Sequence, residues 1–191
     1  MTARTHDAIA FASLVTIATL SPPNSLNIPT LGAALVGNIV GSLIPDMDQA
    51  SNRLWDLLPM GEHLGKIFRK IFLSHRTLSH SLLGLFLIAN VLYFLLPKFL
   101  NPNYVNAQTV FAAMMIGYIS HLFADSLTKE GLPLLFPLKI NIGIPPMKFL
   151  RITTGSWVEN FLVLPGTAAY IFWFIGKNQT QIIEIIKLVT K

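Results

Sequence analysis

SLLGLFLIANVLYFLLPKFL, from Ser81 to Leu100, carries no charge before Lys98. A hydrocarbon core takes about 20 helical residues to cross, and this stretch is long and apolar enough to do so. Working outward, three further apolar runs approach the same length: Pro29 to Ile44, Thr109 to Phe123 and Phe161 to Ile175. A fifth, Ala8 to Leu20, is shorter and ends at Ser21-Pro22-Pro23. Its leader holds Asp7 as well as Arg4 and shows no small-x-small cleavage site, so it reads as a short retained helix rather than a signal peptide. The composition agrees: 52% of the 191 residues are hydrophobic and 12% are charged, where soluble domains carry about 25% charged. Mean hydropathy is +0.57. The sequence therefore predicts an all-α fold, an integral membrane helical bundle of four to five transmembrane helices with polar loops on one face. Residues 1–191 form a single membrane-embedded domain, with a cytoplasmic loop over 46–80 and an interfacial C-terminal helix over 177–191.

Charge placement gives the orientation. With five helices and the N-terminus inside, Asp46 to His80 is cytoplasmic and holds Arg53, Lys66, Arg69, Lys70 and Arg76. Ser126 to Ser156 joins it, with Lys129, Lys139, Lys148 and Arg151, while the loops opposite hold Lys98 alone. Positive residues gather on the cytoplasmic side of inner-membrane proteins. The tail runs against the pattern, since Lys177, Lys187 and Lys191 would fall outside. The net charge of +5 is thus ascribed to loops beside anionic lipid and not to nucleic acid, for which no basic cluster with interleaved aromatics is present. There is no cysteine, so any metal must be held by His, Asp or Glu.

Ionisable groups beside membrane spans are costly and point to function. Here they form a short set: His6 and Asp7 just before the first helix, Asp46 and Asp48 after the second, His75 and His80 before the third, and His121 and Asp125 closing the fourth. The topology places all four ends on one side of the membrane. His121 and Asp125, four apart, share a helical face. Asp46 and Asp48 follow Pro45, where an extended turn lets both carboxylates face one pocket. His75 belongs in the loop and His80 in the first helical turn, with Thr77 or Ser79 as N-cap. Nitrogen and oxygen ligands without thiolate suit Zn²⁺, Mn²⁺ or Fe²⁺, as one ion or two. Each motif also has an ordinary reading, as a helix cap, a hydrogen-bonded interhelical histidine or an interfacial basic turn; their convergence on one face favours a metal site.

In this order the motifs resemble the YdjM-like family of membrane-bound metal-dependent hydrolases: an early His (His6), Pro-Asp-x-Asp (Pro45 to Asp48), His-Arg-x-x-x-His-Ser (His75 to Ser81), and His-x-x-x-Asp (His121 to Asp125) followed by Thr128 and Gly131. Thr77-Leu78 departs from the pattern, where many relatives are expected to carry a glycine. The resemblance implies an inner-membrane hydrolase with a metal centre and leaves the substrate undefined.

The expected assignment has Asp46 or Asp48, His80, His121 and Asp125 on the principal metal, zinc foremost. His6 and His75 complete a second site or its surroundings. The unused carboxylate of Asp46 and Asp48 is the general base, and Arg76 is a phosphate clamp. The expected function is a hydrolase acting on a phosphoester or lipid-linked substrate at the cytoplasmic face, with membrane lipid and a small-molecule or lipid substrate as partners. The alternatives are a metal or ion transporter and a structural protein with a His/Asp network. Sequence does not fix the oligomeric state.

Overall fold

The computed structural model describes residues 1–47, 63, 78–138 and 140–189. The described residues form six α-helices and no strands: α1 (Ala3–Leu20), α2 (Ile28–Leu43), α3 (Leu82–Phe99), α4 (Ala107–Ser126), α5 (Leu164–Lys177) and α6 (Gln179–Val189). Among the described residues, three stretches are long and apolar enough to cross a membrane, Ile28–Asp46, Leu82–Phe99 and Ala107–Ser126. The other two expected spans, α1 and α5, pack against one another, and α1 also packs on α2 and α4. The sequence placed His6 and Asp7 ahead of the first helix; α1 begins three residues before His6 and carries both in its first two turns.

Polar side chains start the helices. Asn27 Oδ1 accepts from Thr30 N–H at 2.8 Å, Ser81 Oγ from Gly84 N–H at 3.0 Å, and Asn106 Oδ1 from Thr109 N–H at 3.0 Å. Each such cap is worth about 1 kcal/mol. Ser81, not Thr77 or Ser79, is therefore the cap of α3, and His80 stands just outside the helix rather than in its first turn. Before α5 the chain winds as a π-helix over Glu159–Val163. Pro165 lies just inside α5 and has no N–H to donate to the preceding turn, which accounts for the widened turn there.

The centre of the bundle is the seam between α2 and α4, which run parallel. A Cβ on Gly41 would fall 2.0 Å from Met114 O, and one on Gly117 would fall 2.1 Å from Asn38 O. Only glycine permits such an approach, and close backbone contact is how helices associate where lipid removes the hydrophobic drive. Asn38 Nδ2 donates to Ala113 O at 3.1 Å across the seam. Ile44, Met47, Val110, Met114, Tyr118, Leu122 and Leu132 form the buried hydrophobic core. Gly32, on the same helix as Gly41, has open space around it and plays no part in the seam.

After α4 the chain folds back on itself. Thr128 Oγ1 donates to Asp125 O at 2.8 Å, closing the helix. Leu132 and Ile142 exchange backbone hydrogen bonds of 2.8 Å in both directions, and Leu134 O receives Leu82 N–H at 3.0 Å, docking the start of α3 on this segment. Gly131 turns with φ +66° where a Cβ would strike Ile142 O. Thr128 and Gly131 thus have structural roles in this chain.

Candidate metal centre

The start of α1, the end of α2, the approach to α3 and the end of α4 meet at one end of the bundle. His6, Asp46, His80, His121 and Asp125 converge there, as the sequence predicts. Asp48, His75 and Arg76 lie outside the described residues, as do Asp56, Glu62 and most of the 46–80 loop. The described His63 is exposed and in no candidate ligand group.

Two ligand trios share His121: His6, His121 and Asp125, and Asp46, His80 and His121. Within each, the donor atoms lie within 4.8 Å of one another. His6 Nε2 stands 3.1 Å from Asp125 Oδ1, and His80 Nε2 stands 3.4 Å from Asp46 Oδ1 and 3.7 Å from Asp125 Oδ2. His121 Nε2 is 3.7 Å from Asp125 Oδ2 and 3.9 Å from Asp46 Oδ2. Donor atoms about 2 Å from a tetrahedral zinc are about 3.3 Å from each other, and these separations bracket that value.

The surroundings orient the rings. His121 Nδ1 donates to Ser42 O at 2.7 Å, which fixes the proton on that nitrogen and leaves Nε2 as a lone-pair donor toward the carboxylates. His80 Nδ1 lies 3.1 Å from Ser79 Oγ, and its Nε2 also faces inward. Tyr118 hydroxyl donates to Ser79 O, tying the chain before His80 to α4. The His6 ring stacks on His121, centroids 3.7 Å apart and planes 7° from parallel. His121 Nε2 and His6 Nδ1 are buried with no hydrogen-bond partner among the described residues. Orphaned nitrogens beside two carboxylates are costly in a protein interior and are what a cation would satisfy. The residues fit a divalent metal.

Electrostatics and access differ across the cluster. Burial alone would push the His80 imidazole down, but the carboxylates of Asp125 and Asp46 outweigh it and raise its pKa above the ordinary value. The Met1 amino group contacts the Asp125 carboxylate. Asp7, beside His6, receives Ser42 Oγ at 3.3 Å at the cluster's edge. His6, His80, His121 and Asp125 are at most 2% exposed, whereas the Asp46 side chain is 24% exposed and forms the open side.

Sequence reasoning missed the supports of this centre. Tyr118 lies three residues before His121 on the same face, a signal that was available. The carbonyl of Ser42 was not readable, because any residue supplies one.

A family model described as YdjM inner membrane protein matches residues 1–186. The uncharacterized protein YvsG of Bacillus subtilis is 33% identical over 146 residues, covering 76% of this chain and 79% of YvsG. The inner membrane protein YdjM of Escherichia coli is 29% identical over 126 residues, and that of Shigella flexneri matches to the same extent. Those matches cover 66% of this chain and 59% of each YdjM protein, so this chain spans less than two thirds of their length. No solved structure matches the chain.

Proposed function

The chain belongs to the YdjM family of inner membrane proteins, and from that footing we propose that it is a membrane-bound metal-dependent hydrolase acting on a phosphoester or lipid-linked substrate at the cytoplasmic face. One observation carries the reading: three imidazoles and two carboxylates from four separate helix ends meet at tetrahedral-edge spacing, with His121 held to one tautomer by Ser42 O. His80, His121, Asp125 and one of Asp46 and Asp48 would hold the principal ion and His6 a second, or the outer edge of one. Zinc fits this ligand set best, with manganese or iron next. When bound, a divalent cation supplies the Lewis acidity that makes water a competent nucleophile near neutral pH.

The chain's own residues do the rest. Ser42 O and Ser79 Oγ hold two rings by their outer nitrogens, so that both Nε2 atoms face the carboxylates. The carboxylate of Asp46 or Asp48 that does not bind the ion is assigned the general base, taking a proton from an incoming water on the open side of the cluster. Arg76 is assigned the phosphate clamp on sequence grounds, its guanidinium matching two phosphate oxygens at once. The cytoplasmic placement follows the distribution of Lys and Arg between the loops, and the amphipathic α6 is assigned to the interface.

A structural metal site is the second reading, and the near-complete burial of four of the five ligands favours it. The exposure of Asp46 favours access and hence chemistry. Metal content by mass spectrometry on detergent-purified protein, beside His121→Ala/Asp125→Ala, tests the shared premise. Stoichiometric zinc, manganese or iron lost in the folded double variant supports it, and no ion after reloading with each overturns it. Hydrolysis of phosphate esters or phospholipids by the loaded parent, absent in whichever of Asp46→Asn and Asp48→Asn retains its metal, then separates catalysis from a structural role.

A further inference from the structure

Glu159 opens the π turn before α5 and is, among the described residues, the buried acidic side chain that stands apart from the cluster. Its Oε1 accepts from Thr2 N–H at 2.6 Å and from Thr2 Oγ1 at 2.9 Å. Its Oε2 accepts from Gly155 N–H at 2.7 Å, in a turn where Gly155 takes φ +73°. Burial would raise its pKa, but these donors prevail and hold it below the ordinary glutamate value.

The partner at the other end of these bonds is the cap of α1. Thr2 is the N-cap residue, yet its side chain bonds no backbone N–H of its own helix, and the first turn holds no acidic residue. A helix start carries orphan donors and a partial positive charge. Glu159 supplies the missing anion from 157 residues away. That contact helps to set both the depth and the rotation of α1. At this end it is joined by the Met1 amino group on Asp125 and by Ser42 Oγ on Asp7, while the buried residues of α1 beyond His6 are small: Ala10, Ala12 and Thr19. A smooth face slides and turns easily. At the far end α1 and α5 are already tied by the hydroxyls of Thr16 and Tyr170, 2.8 Å apart, so Glu159 is not needed merely to join the two helices.

One turn beyond Thr2 stands His6, whose ring must lie flat on His121 and reach Asp125. One residue of rotation turns a helix by about 100° and would carry His6 out of the cluster. We propose that Glu159 is a positioning residue that holds α1 in the register at which His6 joins the metal centre. The inference rests on the metal reading given above.

The test uses the full chain in detergent, with Co²⁺ as probe and three readouts: Co²⁺ affinity, the visible d–d absorption, and melting of the metal-free protein. Glu159→Gln removes the charge and sets an amide NH₂ against one of the backbone donors. Expected is a roughly tenfold loss of Co²⁺ affinity, in the range found for outer-shell partners of metal ligands. A changed d–d spectrum should accompany it, with metal-free melting close to that of the parent. In the double variant with His6→Ala, the loss should be no greater than for His6→Ala alone, because both act through one ligand. Parent-like affinity and spectrum in Glu159→Gln overturn the positioning role, as do losses that add in the double variant. If Glu159→Gln cannot be purified, Thr2→Val removes one donor and keeps the backbone one. A smaller loss of the same sign is then expected, and an unchanged affinity overturns the proposal. A parent that takes up no Co²⁺ overturns the metal reading itself, and this inference with it.

Discussion

α3 and α4 are both apolar, both about the length of a bilayer, and differ most in what they touch. In α4 eleven of twenty residues are buried, including Gly117, Tyr118, His121 and Asp125. In α3 the only buried residue is Gly84, and Phe86 and Phe94 are exposed. The difference teaches that hydropathy identifies a span but not its neighbours. Lipid is as apolar as leucine, so large side chains gain little by leaving it. Helices sort inward by what lipid cannot satisfy: backbone that packs closely at glycine, and polar groups that need partners. Asn90 on α3 is the instructive case, since it donates to Phe86 O of its own helix at 2.7 Å and so needs no neighbour. Asn38 on α2 donates across to α4 and does.

That contrast can be broken by experiment. The largest effect is expected at the seam: Gly41→Ala and Gly117→Ala should each cost about 3 kcal/mol or more, because the added carbon meets backbone and not a mobile side chain. Thermal unfolding and size-exclusion profiles in detergent check this, and parent-like melting of either would refute the seam as described. Next comes the ligand cluster on the same helix. Asp125→Ala should abolish metal uptake, measured by mass spectrometry, and the apo protein should lose less stability than the glycine variants do. Tyr118→Phe should cost about 1–2 kcal/mol by leaving Ser79 O without its buried donor. It should also weaken metal binding by releasing the His80 approach, which metal titration reads. Smallest are the α3 changes. Phe86→Ala, Phe94→Ala and Asn90→Leu should each shift stability by less than about 0.5 kcal/mol. A large loss from any of them would mean that the outward face of α3 has a protein neighbour in the membrane beyond α4.

How much of this was legible depends on the kind of residue. His121 and Asp125 were readable because helical spacing alone puts them on one face. Asp46 was readable because carboxylates beside a span demand a reason. His6 was placed at the correct depth but outside its helix, since Arg4, Thr5, His6 and Asp7 give no apolar period to mark the start. His80 was assigned to a helical turn and stands before it, because Thr77, Ser79 and Ser81 are all competent caps and sequence does not choose among them. Nothing in the sequence singles out Glu159, because its contacts exist only through Thr2 at the far end of the chain.

The sequence by itself determined that the chain lives in a membrane, roughly where its helices run, and that His and Asp gather at one end of them. Those properties follow from solvent preference and helical period, which act along the chain. Only the tertiary structure decided that α2 and α4 form the seam, that Ser42 and Tyr118 brace the cluster, and that Glu159 caps the helix carrying His6. Those depend on approaches of 2–4 Å between residues distant in the chain, and close packing, unlike hydropathy, leaves no period in the sequence.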